Sequence, residues 1–345
     1  MHDLTERPTI LLESALELPS RPRRLRSSLA LRDSLAEMVL RPEDFIAPFF
    51  VVPGHKTVQA IQALPGISRF SVDEFLIQLE RAVKLGVRSF VIFGVLPQDQ
   101  KDANASSASD PSSVIPSAIR AARAAFGNDI VLYSDVCLCT HTDHGHCGLL
   151  RETPRGVVID NDSSLARLAD MALTHAEAGV DFVAPSDMMD GRIGYIRKVL
   201  DASGLTDIGI LSYAVKYASA FYGPFREAAG SAPSFGDRSS YQMDYRNVSD
   251  ALREASLDES EGADMLMVKP ALPYLDVIAK VKAQTNLPVV AYNVSGEYAM
   301  LKAAASVGAL DEAKSVREAL TSIKRAGSRL IISYHALEGL EKGWL

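Results

Sequence analysis

Cysteine is scarce in this sequence, with three in 345 residues, and the number is odd. Such a count supports no disulfide framework and makes a reducing cytoplasm the expected setting. No apolar run approaches the ~20 residues that cross a bilayer as a helix, so no membrane span is expected. The N-terminal MHDLTERPTILLESALEL is too charged, and too short in apolar residues, for a secretory signal. Positive charge is not in excess: 36 Lys and Arg stand against 43 Asp and Glu, a net charge of -7. That balance offers no basic field to nucleic acid or to anionic lipid. No G-x-G-x-x-G follows the first strand-like run, which removes the dinucleotide fingerprint. What remains is a soluble protein expected to act on a small molecule.

Hydrophobic residues make up 47% of the chain and charged residues 23%, enough for a sizeable core. The first 40 residues, with the basic, proline-punctuated LPSRPRRLRSS, read as an arm. From Phe45 onward short apolar runs recur: Phe45 to Val52, Ser89 to Val95, Ile130 to Val136, Asp181 to Pro185, Ile208 to Tyr213, Met265 to Val268, Val289 to Val294 and Leu330 to Ser333. Helical periodicity fills the intervals, as in SVDEFLIQLERAVKLG, SSLARLADMALTHAEAG and LDEAKSVREALTSIKRAG, the first two opened by Ser and all three closed by Gly. Apolar strands buried on both faces and alternating with amphipathic helices imply a parallel sheet, and eight such units imply an α/β fold, a closed TIM (β/α)8 barrel over residues 41–345. The stretch DQKDANASSASDPSS after the second run reads as a solvated loop.

In such a barrel the residues at the strand ends carry the chemistry. Here they are polar: Asp135, then Ser186 and Asp187, Lys216, Lys269, Ser295 and Tyr334. Lysine is ordinarily solvated, but ILSYAVKYASAFYG and ADMLMVKPALPY surround Lys216 and Lys269 with apolar residues. A lysine in an apolar mouth near a second ammonium loses its proton more readily, and a neutral amine attacks ketones to give a Schiff base. Two such lysines imply two carbonyl substrates. All three cysteines lie in DVCLCTHTDHGHCG, as C-x-C-x7-C. Buried cysteines are commonly inert filler, but three in one Gly/His-rich loop point to a metal, with zinc the leading ion. Three thiolates leave a position open; His141, His144 or His146 could close it, and spacing does not choose between these. YASAFYGPFREAAGSAPSFGDRSSYQ reads either as a lid with glycine hinges, whose Arg226 and Arg238 hold a carboxylate, or as a surface helix and loop.

DVCLCTHTDHGHCG, VAPSDMMDGR, SYAVKYASAFYGPFREA, GDRSSYQ, ADMLMVKP and YNVSGEYAM together resemble the porphobilinogen synthase (5-aminolaevulinate dehydratase) family over nearly the whole chain. The resemblance implies a hydro-lyase of tetrapyrrole (haem) biosynthesis that joins two 5-aminolaevulinate molecules to porphobilinogen. It also implies a TIM barrel whose N-terminal arm wraps a neighbouring subunit, within a homo-octamer. By position, Lys269 matches the lysine that holds the substrate giving the propionate side chain, and Lys216 the lysine of the second site. Ser295 and Tyr334 match the first carboxylate grip, and Arg226, Arg238 and Gln242 the second. Tyr222, Phe225 and Tyr292 join the substrate-contacting set, and Asp135, Ser186 and Asp187 surround the reacting groups. Cys137, Cys139 and Cys147 match the zinc ligands of the zinc-dependent branch, and Glu254 a magnesium position away from the active site. Where family members commonly carry tyrosine-threonine-serine before HGHCG, this chain has His141, Thr142 and Asp143. The general base stays open between a zinc-bound hydroxide, Asp135 and Lys216. Two other readings are a one-lysine aldolase with a structural metal, which the second lysine weighs against, and an inactive zinc-binding barrel, which the polar strand ends weigh against.

Overall fold

The computed structural model describes residues 20–154 and 156–345. The described residues before Leu40 form a separate unit, with a 3-10 turn at Pro22–Arg26 and a short helix at Leu29–Ser34. Ser28 caps that helix by accepting from the Leu31 amide. Residues 1–19 of the expected arm lie outside the described residues.

From Leu40 the chain builds a parallel barrel of eight strands: β1 (Phe45–Val51), β2 (Ser89–Gly94), β3 (Val131–Val136), β4 (Phe182–Pro185), β5 (Gly209–Lys216), β6 (Met265–Lys269), β7 (Val289–Asn293) and β8 (Leu330–Ser333). They pair in chain order, and β8 returns to β1 through Phe45↔Ile331 and Ile46↔Ile332, which closes the sheet. All eight apolar runs of the sequence are therefore strands of the barrel.

The strand period of two divides each run between two cores. Phe45, Ala47, Phe49 and Val51 of β1 face the surrounding helices, while Ile46 and Phe50 face the barrel axis. Val91 and Phe93, Leu211 and Tyr213, Met267, and Val290 and Tyr292 fill the interior with them, so the barrel is packed rather than hollow.

The outer ring contains α1 (Val72–Lys84), α2 (Val114–Phe126), α3 (Asn161–Glu177), α4 (Arg192–Ala202), α5 (Gly223–Ala229), α6 (Ser249–Ser260), α7 (Leu275–Gln284), α8 (Ser295–Ser306), α9 (Glu312–Arg325) and α10 (Ala336–Glu341). In α1 and α9 the apolar positions recur at helical spacing and bury Phe75, Leu79 and Ala82, or Val316, Leu320 and Ile323, against the sheet. The helix expected to open at Ser163 begins two residues earlier, after Asp160, whose backbone carbonyl accepts from Ser164 Oγ at 2.5 Å.

Three features depart from the sequence reading. Two antiparallel hairpins stand outside the run pattern, Val58–Ala60 with Ser68–Phe70 and Leu149–Thr153 with Gly156–Asp160. Residues 99–113 are not merely solvated: Ala105 and Ala108 are fully buried, and Asp102 bridges to Thr142, so this loop lies against the cysteine loop. Finally, β5 runs three residues beyond Tyr213, so Lys216 is its last residue and pairs directly with Lys269 at the end of β6.

Candidate active site

Lys269 and Lys216 are side by side across two neighbouring strands, 5% and 4% exposed. The Lys269 ammonium position is walled by rings, 4.4 Å from the centroid of Tyr292, 5.0 Å from Tyr213 and Phe225, and 5.3 Å from Tyr222. Burial pulls its pKa down to about 7 and the Lys216 charge pulls the same way, against the opposing pull of Asp135. Lys216 Nζ donates to the Ser186 carbonyl at the end of β4. Asp135 is buried with Oδ1 unpartnered; burial pushes its carboxyl up to about 6, against a hydrogen bond from Ser186 and the two lysine charges.

Asp187 is fully buried, and burial likewise raises its carboxyl to about 6. Its Oδ1 accepts from the Met189 amide at 2.7 Å, and Oδ2 is 3.9 Å from Arg192 Nε. On the other side of the mouth, Tyr292 and Tyr334 share a hydroxyl–hydroxyl hydrogen bond of 2.9 Å. Ser295 Oγ accepts from the Phe225 amide at 3.0 Å and donates to the Phe221 carbonyl at 3.3 Å.

The three cysteine sulfurs lie within 4.8 Å of one another, all buried, with Cys137 and Cys139 Sγ 3.3 Å apart. Hydrogen bonds from Cys137 and Cys139 hold the Cys147 thiol far below the usual range, helped by Arg238 and Lys216, whereas hydrogen bonds with Cys139 and then Cys147 hold Cys137 up. A buried trio of soft sulfurs with a thiolate already favoured fits a thiophilic ion such as zinc. The histidines do not close this set: among the described residues only the three cysteines form such a group. His141 Nδ1 lies 3.0 Å from Ser107 Oγ, His144 Nδ1 accepts from the His146 amide, and the His146 ring contacts Tyr241 OH at 3.1 Å and the Phe235 carbonyl at 3.0 Å.

Residues 217–242 cover the lysines, and they pack more than their glycines and small residues imply. Ala228, Ala229, Ser231, Arg238 and Gln242 are all buried. Arg238 Nη2 donates to the carbonyls of Gly145 at 2.9 Å and Ser231 at 2.6 Å, and the Ser234 amide donates to His144 at 3.0 Å. The segment thus rests on the backbone of the cysteine loop, and Arg238 has partners already. Its Nε, the Nε of Arg226 and both amide atoms of Gln242 remain unpartnered and buried, three donor groups free for a ligand carboxylate.

Two glycines permit the close approach. A Cβ on Gly145, whose φ is +71°, would lie 2.3 Å from the Ala232 carbonyl oxygen, and one on Gly296 would lie 2.5 Å from that of Phe221. A cavity of about 690 Å³ opens outside this cover, lined by His146, Tyr241, Gln242, Met188 and the Leu149–Asp160 hairpin, and reaches neither lysine.

With this geometry in place, comparison with known proteins decides the family. The family model described as Delta-aminolevulinic acid dehydratase matches residues 19–342. This chain belongs to the delta-aminolevulinic acid dehydratase family. Curated relatives of that name from Bacillus subtilis and Methanothermobacter thermautotrophicus are 48% and 52% identical, over 94% and 93% of this chain and 98% and 97% of theirs. The crystal structure of the Toxoplasma gondii delta-aminolevulinic acid dehydratase (porphobilinogen synthase), in complex with the reaction product porphobilinogen, superposes with a TM-score of 0.92 at 44% identity, covering 95% of this chain and 92% of that one.

Glu254 stands apart from the family-matched residues around the lysines. It lies on α6, where it lines both the 690 Å³ cavity and an adjoining pocket with Asp190, Asp258 and Glu261, and among the described residues no group of three metal-ligating side chains gathers around it. Several site residues escaped the sequence reading. Tyr213 lies under both amines inside the barrel. Tyr241 OH accepts from the Cys147 amide at 3.4 Å. Glu297 accepts from the amides of Leu272 and Val294, both at 2.5 Å, which joins the ends of β6 and β7. The period-two pattern of ILSY in ILSYAVK marks Tyr213 as inward facing, whereas nothing local marks Tyr241, whose partner Cys147 is distant in sequence, or the reach of Glu297 to Leu272. Among the described residues, no helix is long and apolar enough to cross a membrane.

Proposed function

We propose that this chain condenses two 5-aminolaevulinate molecules to porphobilinogen, with loss of two waters, through Schiff bases on Lys269 and Lys216. The paired lysines carry the reading: two buried amines side by side in register, with distinct walls, fit two ketones brought together. Lys269, with its pKa near 7, is neutral often enough to attack a ketone at physiological pH, and one water leaves as the imine forms. Its aromatic box excludes the competing water, and an iminium there makes the adjacent carbon acidic. Holding both substrates covalently removes much of the orientational entropy of a bimolecular step. Asp135, buried, half-unpartnered and within the field of both amine charges, is the carboxyl we assign to holding the proton that moves between them.

Tyr334 and Ser295 are assigned to the carboxylate of the first substrate on the support of the family match, and Arg226, Arg238 and Gln242 to that of the second on the support of their unpartnered donors and the same match. Cys137, Cys139 and Cys147 would hold zinc, which when bound there supplies a Lewis acid with an open position. For Glu254 we assign a largely hydrated magnesium ion, since one carboxylate can be enough for an ion that keeps most of its waters. The N-terminal arm is assigned to packing on a neighbouring subunit in an octamer, with the mass in solution as its check.

The deciding assay is incubation with 5-aminolaevulinate and detection of a pyrrole with an aldehyde colour reagent. We expect product with zinc present, none after chelation under reducing conditions, and recovery on adding zinc. A zinc-loaded, folded protein that forms no pyrrole overturns the reading.

A further inference from the structure

The register between β5 and β6 is broken at one place. Leu266 pairs with Ser212 and Val268 with Val215, so the single residue Met267 opposes two, Tyr213 and Ala214. This is a β-bulge, and its consequence can be read from which way the neighbours face. Leu211 and Tyr213 belong to the barrel interior, whereas Ala214 and Val215 both pack in the outer core toward the helices. Ser212 also faces outward, since its hydroxyl donates to Asp258 on α6 at 2.5 Å. Under strict alternation Lys216 would share the outward face of Ser212 and Ala214. The extra residue flips the phase, and Lys216 points inward to the Ser186 carbonyl and over Tyr213.

An extra residue in a strand leaves backbone groups outside the ladder, and one of them is met by an unusual partner. Arg192, at the start of α4 and 2% exposed, donates from Nη2 to the Tyr213 carbonyl inside the bulge at 3.4 Å and to Ser212 Oγ at 3.3 Å. Its fork is held by Asp258, at 3.1 and 3.0 Å. The same guanidinium donates to the Met189 carbonyl at 3.4 Å and lies 3.9 Å from Asp187, so it also ties down the loop that follows Ser186, the acceptor of Lys216. A charge buried this completely is costly unless its geometry is used.

We propose that Arg192, oriented by Asp258, is a positioning residue that pins the Tyr213–Ala214 bulge and thereby turns Lys216 into the barrel beside Lys269. The assignment rests on Lys216 being one of the two amines that hold substrate. Arg192 itself touches no reacting atom.

The test uses the zinc-loaded full chain and two variants. Arg192→Met with Asp258→Leu replaces the buried pair by apolar groups of similar volume, a change that folded proteins often tolerate. Arg192→Lys keeps the charge opposite Asp258 but cannot grip both carboxylate oxygens and reach Tyr213 as well. Each protein is trapped with borohydride and 5-aminolaevulinate, and adducts on the peptides carrying Lys216 and Lys269 are quantified separately. We expect the Lys216 adduct to fall at least tenfold while that on Lys269 stays within about twofold, a split that a general loss of stability does not produce. Crystal structures of the variants report the register without reference to chemistry: we expect the bulge displaced and Lys216 Nζ no longer at Ser186. Equal loss at both lysines, or an unchanged bulge and an unchanged Lys216 in either folded variant, overturns the proposal. No Lys216 adduct in the unaltered chain would instead sink the two-Schiff-base reading, and the register in the variant crystals would still decide the role of Arg192.

Discussion

Titrating Lys269 with a ketone that carries no amine of its own isolates the group on which the proposed chemistry turns. Laevulinate keeps the ketone and carboxylate of the substrate, so the pH dependence of its borohydride capture reports the lysine alone. Burial, and then the Lys216 charge, bring Lys269 from 10.5 to about 7. Between pH 6 and pH 8 the neutral fraction then rises about tenfold, from roughly a tenth to roughly nine-tenths, and is flat above that. An unshifted lysine would gain about a hundredfold over the same interval and keep climbing to pH 10. Capture at Lys269 should follow the first curve, and in Lys216→Met its midpoint should move upward because one of the depressing causes is gone. The same shift has a cost in stability. Between pH 7 and 10.5 the unfolded chain binds the proton that the folded chain has lost, so the penalty is full below pH 7 and fades as the pH rises to 10.5. At its full value it is roughly 5 kcal/mol. Lys269→Met should therefore lose turnover yet unfold at higher urea than the parent at pH 7. A capture rate that rises log-linearly through pH 9, or a Lys269→Met protein that is markedly less stable, would refute this account of the amine.

Other consequences can be measured directly. Gly145→Ala forces a side chain into a left-handed backbone and against the Ala232 carbonyl, a strain of about 1–2 kcal/mol before the clash; kcat/KM should drop at least tenfold while bound zinc stays stoichiometric. Cys147→Ser removes the sulfur that carries the favoured thiolate, and zinc content by atomic absorption should fall well below one per chain with the fold intact by circular dichroism. Acid should release the ion from the parent as the thiolates protonate, with free zinc appearing as the pH falls. Amide exchange across residues 217–242 should slow when laevulinate is bound, because Arg226 Nε and the Gln242 amide acquire partners; identical exchange with and without ligand would make this segment a fixed wall.

Much of this was legible in the sequence because it is local. Apolar runs such as FIAPFFV and MLMVK name the barrel strands, and their polar ends name Asp135, Lys269 and the cysteines. What was not legible depends on a partner far along the chain. The fifth apolar run ends at Tyr213, and the extension of β5 to Lys216 passes through a bulge whose supporting guanidinium comes from α4. The histidines beside the cysteines are open as ligands in the sequence, and the fold decides it: the three sulfurs gather without any of their ring nitrogens. The hairpin Leu149–Asp160 carried a legible signal, a proline-containing turn between LL and VVI, but it is too short to stand out among barrel strands.

The cover over the lysines rests on the backbone of the cysteine loop, through Gly145, His144 and His146. The two functions therefore share a doorway. On the proposed reading, in which substrate orders the cover, an ion would reach or leave the sulfurs while the cover is raised, and a bound substrate would keep it lowered. Metal exchange would become a side event of turnover, with a rate set by how long the enzyme waits between substrates. A cell short of substrate would then hold this protein in the state most open to exchanging the proposed zinc for another thiophilic ion.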